Sequence, residues 1–187
     1  FEVLDIPVTI RDPQKPLDCP LDGSIKFDNV SFAYVEKNYI LRDFDLTIEN
    51  GERIGIVGPT GAGKSTISNL IHRFYDTNKG KVILGGVEIR KFSQEYIGKK
   101  VGMVLQDPFL FSGTILENIK YGNPDISLKN IEKSTELLGL NDFISSLDNG
   151  YDTVIGQRGS DLSMGQRQLL SILRALVADT QYLILDE

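Results

Sequence analysis

The sequence predicts an α/β fold in which a parallel sheet forms the core. Short continuous apolar runs at residues 54–57, 101–105 and 182–185 are typical of strands buried on both faces of such a sheet. Helical spacing of apolar residues between these runs produces the alternation of strands and helices that defines this class. Residues 25–34 and 44–48 nearly alternate between apolar and polar side chains, so we also expect an N-terminal antiparallel β subdomain.

Composition and charge restrict the function. With 187 residues, 41% of them hydrophobic and 25% charged, the chain has the composition of one globular domain with room for an inserted subdomain. The net charge of −6 argues against a nucleic-acid-binding protein. No apolar run reaches the roughly 18 residues of a membrane span, and residues 1–10 lack a basic leader, so we expect neither a span nor a signal peptide. The single cysteine, Cys19, excludes an internal disulfide.

Two stretches are punctuated by proline or glycine. Residues 1–22 are rich in proline and show little periodicity, which predicts a linker. Their prolines are Pro7, Pro13, Pro16 and Pro20. Further along, Gly85-Gly86 separates two short apolar-rich segments, at 81–84 and 87–89, and this predicts a two-residue β-hairpin.

A helical subdomain is predicted between residues 107 and 161. Its apolar residues fall at helical spacing, with turn residues between the segments. The periodic residues are Leu128, Ile131, Leu138, Phe143, Ile144 and Leu147. A further helix is expected to begin at Ser163. The expected apolar face of that helix consists of Leu169, Ile172, Leu173, Leu176 and Val177.

The stretch from residue 58 to residue 65 fits G-x-x-x-x-G-K-[ST], the pattern of a phosphate-binding loop. Its members, with the residue that follows, are Gly58, Pro59, Thr60, Gly61, Ala62, Gly63, Lys64, Ser65 and Thr66. An apolar run precedes the loop and helical spacing follows it, which is the context that the motif requires. Glycines let backbone N–H groups turn toward a phosphate, and the helix dipole points to the same place. Lys64 is expected to hold the outer phosphates and Ser65 to bind Mg²⁺, so we predict nucleoside triphosphate binding.

Two carboxylates, Asp186 and Glu187, directly follow the apolar run 182–185. Strand ends at the carboxyl edge of a parallel sheet face the crevice in which a phosphate loop also lies. We therefore expect Asp186 to hold Mg²⁺ through water and Glu187 to activate the attacking water as a base. A solvated acidic turn is the weaker interpretation once a phosphate loop is present in the same chain.

The segment 162–168 combines a helix start with an anion site. Ser163 and Gln166 form the S-x-x-Q pattern of a capping box, and a helix N-terminus attracts anions. The residues Leu162-Ser163-Met164-Gly165-Gln166 resemble the LSGGQ signature of ATP-binding cassette (ABC) proteins.

Other motifs of the ABC family occur in the same order along the chain. Tyr34 is similar to the aromatic residue that stacks on adenine, and Gln106 is similar to the glutamine of the Q-loop. Residues 157–159 resemble the segment that exporters carry before the signature. Residues 109–119 and 1–5 also resemble the exporter members in particular.

The resemblance implies the fold and the mechanism of an ABC exporter. The implied fold is a P-loop NTPase (RecA-like) core with the antiparallel β subdomain and an inserted helical subdomain. Two nucleotide-binding domains pair head to tail over two ATP molecules, so Ser163, Gly165 and Gln166 would contact the ATP of the partner domain. ATP and Mg²⁺ are the implied cofactors, with Gln106 as a further metal ligand. The implied catalytic residues are Lys64, Gln106 and Glu187. ATP hydrolysis would drive transmembrane domains of the same transporter at the cytoplasmic face of the cell membrane.

The resemblance also divides the chain into segments. Residues 1–22 would be a linker from a transmembrane domain, 23–105 the ATP-binding core, 106–165 the Q-loop and helical subdomain, and 166–187 the return to the core. We expect a soluble fragment that lacks the C-terminal part of the domain, including the D-loop and the switch histidine. His72, on the helix after the phosphate loop, is expected to be a surface or half-buried helix residue and not the switch histidine.

Met164 replaces the middle glycine of the signature and leaves a second function open. The alternative is the low-turnover regulatory half of a heterodimeric exporter, which binds ATP but barely hydrolyses it. A third hypothesis, a soluble cassette ATPase of DNA repair or translation, is disfavoured by the negative charge and by residues 109–119. The transported substrate is chosen by segments outside this sequence.

Overall fold

The computed structural model describes residues 9–121, 123–156 and 159–186 and divides the chain into two compact units. The first unit runs from Phe1 to Val101 and the second from Gly102 to Glu187. In the described ranges, no helix combines the length and the hydropathy that crossing a membrane requires. The exporter-like residues 1–5, the pair Gln157-Arg158 and the expected base Glu187 lie outside the described residues.

A four-stranded antiparallel sheet forms the frame of the first unit. Its strands are β1 (Ile25–Phe32), β2 (Leu41–Ile48), β3 (Lys79–Leu84) and β4 (Val87–Glu88), in the order β2-β1-β3-β4. The antiparallel β subdomain is thus confirmed. The predicted hairpin is confirmed too, because Gly85 (φ 56°) and Gly86 (φ 80°) both take the positive φ that a two-residue turn requires.

Two α-helices lie in the described part of this unit. Helix α1 (Lys64–Ile71) follows the glycine-rich loop and buries Ile67, Leu70 and Ile71, as the spacing predicted. The same spacing also predicted Phe74 on this face, but the helix ends at Ile71 and Phe74 is exposed. Helix α2 (Gln94–Lys100) begins where the Ser93 hydroxyl accepts a hydrogen bond from the Tyr96 N–H at 3.1 Å. The sequence did not predict α2, because Ile97 is its one buried residue and leaves no apolar periodicity.

The described part of the predicted linker is hydrogen-bonded to the first unit. Residues 11–19, which we call the strap, make four such bonds with residues of α1 and α2 or next to them. Arg73 Nη2 donates to the Arg11 carbonyl at 3.0 Å, the Gln94 N–H to Asp12 Oδ1 at 2.8 Å, and the Leu17 N–H to the Lys91 carbonyl at 2.9 Å. The Tyr96 hydroxyl donates to the Cys19 carbonyl. The strap is therefore hydrogen-bonded to the rest of the unit, although most of its residues are exposed.

The apolar run 54–57 does not form the strand that its composition predicted. It pairs with no strand among the described residues, and all four of its residues are exposed, Val57 to 93%. A strand is held by the hydrogen bonds of its ladder, and the first unit's sheet ends in β2 and β4 without adding this run. The prediction of a buried strand here is wrong for this structure.

The second unit contains two short pairs of strands. β5 (Val101–Val104) pairs with β8 (Tyr182–Leu185), and β6 (Gly113–Thr114) pairs with β7 (Val154–Ile155). Both longer strands were predicted. β5 is mostly buried, but in β8 only Tyr182 is buried, because a two-stranded sheet covers less of each strand than a wide one.

Four helices pack around the apolar core of the second unit, so the predicted helical subdomain is confirmed. They are α3 (Ile115–Lys120), α4 (Leu128–Leu137), α5 (Asn141–Ser145) and α6 (Met164–Val177). The buried residues of their shared core include Leu110, Ile115, Ile119, Ile131, Leu140, Ile155, Leu170 and Leu173.

The buried face of α6 differs from the predicted one. Leu170, Leu173 and Val177 enter the core, whereas Leu169 is exposed. The buried residues are spaced i, i+3 and i+7, which is a helical stripe that turns toward α3 and α4. The leucine-rich sequence allows two overlapping stripes, and the packing of neighbouring helices selects one of them.

Candidate nucleotide-binding site

The phosphate loop leads into a helix whose N-terminus has no side-chain cap. Gly63 is the N-cap of α1, with φ 94°, and as a glycine it provides no side-chain cap to the helix. A Cβ atom on Gly63 would be strained at this φ and would lie 3.0 Å from Ile40 Cγ2, a tight contact, so both the backbone and the packing favour glycine. Gly61 (φ 83°) provides the other left-handed turn of the loop. Uncapped N–H groups and the helix dipole together make an anion site.

The Lys64 ammonium lies within this loop. Nζ donates to the carbonyl of Gly58 at 2.8 Å and to that of Pro59 at 3.1 Å. These carbonyls account for two of the three N–H donors of an ammonium group. The lysine is thus held at the mouth of the loop, where its charge attracts the oxygens of a polyphosphate.

The other residues of the motif follow the same geometry. The Ala62 N–H donates to the Pro59 carbonyl at 3.1 Å and closes a turn around Thr60 and Gly61. Ser65 is exposed at the start of α1, and Thr66 next to it is buried.

Tyr34, the predicted adenine-stacking residue, lies against the start of α1. Its hydroxyl donates to Thr66 Oγ1 at 3.3 Å, and the Asn69 side-chain amide donates to the same hydroxyl at 3.0 Å. The ring makes T-shaped contacts with Phe32 and Tyr75, with centroid distances of 4.8 Å and 4.9 Å. It remains 44% exposed, so part of its aromatic surface is open to a ligand. The structure therefore brings Tyr34 and Thr66 together, as one nucleotide site requires.

Tyr34 and the side chains that contact it, those of Phe32, Thr66, Asn69 and Tyr75, form one cluster. Asn69 and Tyr75 were not predicted from the sequence. Asn69 lies one helical turn after Thr66, and that spacing was the available signal. Tyr75 follows α1, and nothing in its local sequence points to Tyr34.

His72 takes no part in the cluster. It is the C-cap of α1, and its buried ring stacks on Phe74 with a centroid distance of 5.0 Å. Burial lowers the pKa of His72 below its usual value of 6.5. His72 is therefore more buried than the surface or half-buried residue that the sequence predicted, because the C-terminal end of α1 packs against its neighbours.

In the second unit, Gln106 and Asp186 follow two paired strands. Gln106 lies just beyond the end of β5 and is exposed, and Asp186 directly follows β8 and is half-buried. The Asp186 N–H donates to the Val104 carbonyl at 2.9 Å. Both polar residues therefore lie at the same end of this strand pair.

The signature segment forms the capping box that its sequence predicted. Ser163 Oγ accepts a hydrogen bond from the Gln166 N–H at 3.2 Å, and the Ser163 N–H donates to Gln166 Oε1 at 2.8 Å. Met164 is 53% exposed, and Arg167 Nη2 lies 3.6 Å from its sulfur atom. Among the residues that the structure describes, none has an atom within 4 Å of the place that a Cβ on Gly165 would occupy. The first turn of α6 is thus open to an approaching group.

The donor set fits a magnesium nucleotide. Within the described ranges, no three His, Cys, Asp or Glu side chains cluster in a way that would hold a metal ion by themselves. The predicted donors, a hydroxyl, an amide oxygen and a carboxylate, are oxygen ligands of the kind that Mg²⁺ takes together with phosphate oxygens and water. The open helix N-terminus fits the phosphates of ATP, and the half-exposed Tyr34 ring fits its base.

A glycine-rich loop, an uncapped helix with a lysine at its start and an aromatic residue beside that helix define a P-loop nucleotide-binding protein. The family model described as ABC transporter matches residues 41–187. The chain therefore belongs to the ABC transporter family, as the motifs suggested.

The relatives of the chain are longer proteins of this family. An uncharacterised ABC transporter ATP-binding protein of Bacillus subtilis, YfiC, is 45% identical over the whole chain, which covers 31% of that protein. A fatty acid ABC transporter ATP-binding/permease protein of Mycobacterium bovis is 41% identical, again over the whole chain and over 30% of its own length. The chain thus spans less than a third of these relatives.

Solved structures agree with the fold class. A bacterial Atm1-family ABC exporter with ATP bound superimposes on the whole chain and on 33% of its own chain, with a TM-score of 0.94 and 38% identity. The α/β fold of an ABC ATP-binding domain, with its antiparallel β subdomain, is therefore confirmed. ATP-binding domains of this family are ATPases.

Proposed function

We propose that the chain is the ATP-hydrolysing domain of a membrane exporter and that two such domains close over ATP to drive transport. The observation that carries this proposal is the arrangement around α1. Tyr34, Thr66 and the Lys64 loop surround one open helix N-terminus, with an aromatic surface for a base beside donors for phosphates. A role in export is supported by the similarity to the solved ABC exporter. We place the domain at the cytoplasmic face of the cell membrane, because ATP is supplied there.

We assign each site residue a role in hydrolysis according to its chemistry. Lys64 and the backbone N–H groups of the loop stabilise the charge on the outer phosphates. Ser65, Gln106 and Asp186 would hold Mg²⁺ through their oxygen atoms, and the bound ion would supply positive charge to the phosphates. Glu187 acts as the base that orients and deprotonates the attacking water.

A second copy or a homologous domain would complete the ATP site. The first turn of α6, with the Ser163 hydroxyl and the Gly165 backbone, offers donors to an anion and has room for its approach. We assign it to the γ-phosphate of the ATP that the partner domain holds. The Gln166 side chain keeps this turn in place through the capping box.

An exposed aromatic cluster is the proposed contact with the transmembrane domains. Phe109, Phe111 and Tyr121 are all more than a third exposed, and their neighbouring ring centroids lie 5.0 Å and 4.2 Å apart. Arg174 lies 5.8 Å from the Phe111 ring and 5.7 Å from the Tyr121 ring and donates to the Asn118 carbonyl at 2.9 Å. Aromatic side chains with an arginine are typical of protein interfaces. The ATP-binding/permease relative carries both parts in one protein.

Phosphate release by the full-length protein tests this function. Lys64→Ala is expected to lower ATP turnover by roughly 10²–10³-fold, because it removes the cation from the developing charge. Glu187→Gln is expected to retain ATP binding while lowering turnover by roughly 10²–10⁴-fold. Lys81→Ala is the matched control, since Lys81 is an exposed lysine of β3 that pairs with Asp28 at 3.3 Å. Wild-type turnover in both site variants would refute the proposal.

A further inference from the structure

The hydroxyl group of Tyr34 is held by two side chains from successive turns of α1. Asn69 Nδ2 donates to the Tyr34 oxygen at 3.0 Å, and the Tyr34 hydroxyl donates to Thr66 Oγ1 at 3.3 Å. The donors therefore form a chain with one direction, from Asn69 through Tyr34 to Thr66. Since Thr66 accepts from Tyr34, its own hydroxyl proton is left to donate elsewhere.

The rest of the tyrosine is fixed from two sides. Phe32 and Tyr75 both pack edge-to-face against the ring, at interplanar angles of 85° and 84°. These contacts restrict the ring laterally but leave its hydroxyl end to be located by α1. A ring that is already oriented before a ligand arrives loses less side-chain entropy on binding than a free one.

We propose that Asn69 is a positioning residue for nucleotide recognition, and this proposal rests on the proposed role of Tyr34 in stacking on adenine. The Asn69 amide holds the ring with its open face toward the base. It also strengthens the Tyr34 hydroxyl as a donor to Thr66, because hydrogen bonds in a chain polarise one another. The binding of the base is thereby linked to the first turn of the phosphate-binding helix.

A loss of ATP affinity in Asn69→Ala would not be explained by a weaker helix α1. Alanine has a higher helix propensity than asparagine, so Asn69→Ala should not weaken α1 itself. The backbone carbonyl of Asn69, which accepts the Phe74 N–H at 2.9 Å, is unaffected by the substitution. A loss of ATP affinity in this variant would therefore report on the side-chain amide and its bond to Tyr34.

The test is equilibrium binding of ATP and of inorganic tripolyphosphate to the full-length protein. Asn69→Ala is expected to weaken ATP binding about 3- to 10-fold, the effect of one hydrogen bond, and to leave tripolyphosphate binding within about twofold of wild type. Tyr34→Phe should lose a similar factor. The double variant should lose little more than either single variant, because both remove the same bond. Asn130→Ala, on α4, is the matched control and should bind both ligands as the wild type does.

Three outcomes would overturn the role of Asn69. They are wild-type ATP affinity in Asn69→Ala, equal losses for ATP and tripolyphosphate, and fully additive losses in the double variant. Tyr34→Ala separates this result from a failure of the proposed site. If Tyr34→Ala loses ATP affinity while Asn69→Ala does not, the stacking role stands and only the positioning role fails. If neither variant loses affinity, Tyr34 does not stack on the base.

Discussion

Replacement of Arg73 by alanine is expected to destabilise the first unit and to release the strap. The Arg73 side chain is only 4% exposed. Its guanidinium donates to the carbonyls of Phe92 and Arg11 and to Asp76 Oδ1, each at 3.0 Å. Alanine removes the donor from all three acceptors and leaves a space where the side chain packed.

The magnitude follows from the burial of the three acceptors. The bond to the Phe92 carbonyl is buried, so the loss of a charged donor there costs about 1.5–3 kcal/mol. The Arg11 carbonyl is partly buried, and its bond contributes about 1 kcal/mol. Asp76 is 32% exposed, so its ion pair contributes less than about 1 kcal/mol. We expect unfolding of the unit to be easier by about 2.5–5 kcal/mol, and opening of the strap alone by about 1 kcal/mol.

Hydrogen exchange of the full-length protein measures the strap directly. The Leu17 amide, which donates to the Lys91 carbonyl, should exchange about fivefold faster in Arg73→Ala than in the wild type. Arg90→Ala is the matched control, because Arg90 is an arginine of the same unit whose side chain is 43% exposed and makes no bond to the strap among the described residues. Equal exchange of the Leu17 amide in the two variants would refute this account of Arg73.

Two further predictions concern the signature and the single histidine. Met164→Gly in the full-length protein is expected to change ATP turnover by less than about threefold, because the Met164 side chain is exposed and the Gly165 backbone is already open. A large increase in phosphate release would instead favour the regulatory alternative. Burial makes the pKa of His72 lower in the folded state than in the unfolded state, so the unfolded state binds the proton more readily. Above pH 6.5 this group therefore does not reduce the free energy of unfolding, which falls as the pH drops from 6.5 toward the folded pKa. His72→Leu should reduce this acid sensitivity, measured by thermal unfolding at about pH 7.5 and about pH 5.5; an unchanged difference between the two pH values would contradict it.

Local patterns predicted much of the fold and of the candidate site. Alternation identified β1 and β2, the Gly85-Gly86 pair identified the hairpin, and the S-x-x-Q pattern identified the cap of α6. In each case the determining interactions join residues close in sequence or repeat with a fixed period. The loop with its following helix was readable for the same reason, since the positive φ of Gly63 and the buried face of α1 are local properties.

Features that depend on distant residues were not readable from the sequence. The run 54–57 has the composition of a strand, but a strand also needs a partner, and composition does not supply one. The buried face of α6 was decided by the helices around it. Asn69 lies 35 residues from the hydroxyl it contacts, and Arg73 lies 62 residues from the Arg11 carbonyl. No periodicity connects such pairs, because the fold alone brings them together.

The strap determines the residue at which a shortened version of this protein should begin if its fold is to be kept. The family match starts at residue 41, which is the first residue of β2, so a cut at that point would remove β1 from the middle of its sheet. A cut at residue 23 would keep the sheet but discard the strap and uncover the acceptors and donors that it satisfies. A soluble version intended for crystallisation or binding studies should therefore start before Arg11.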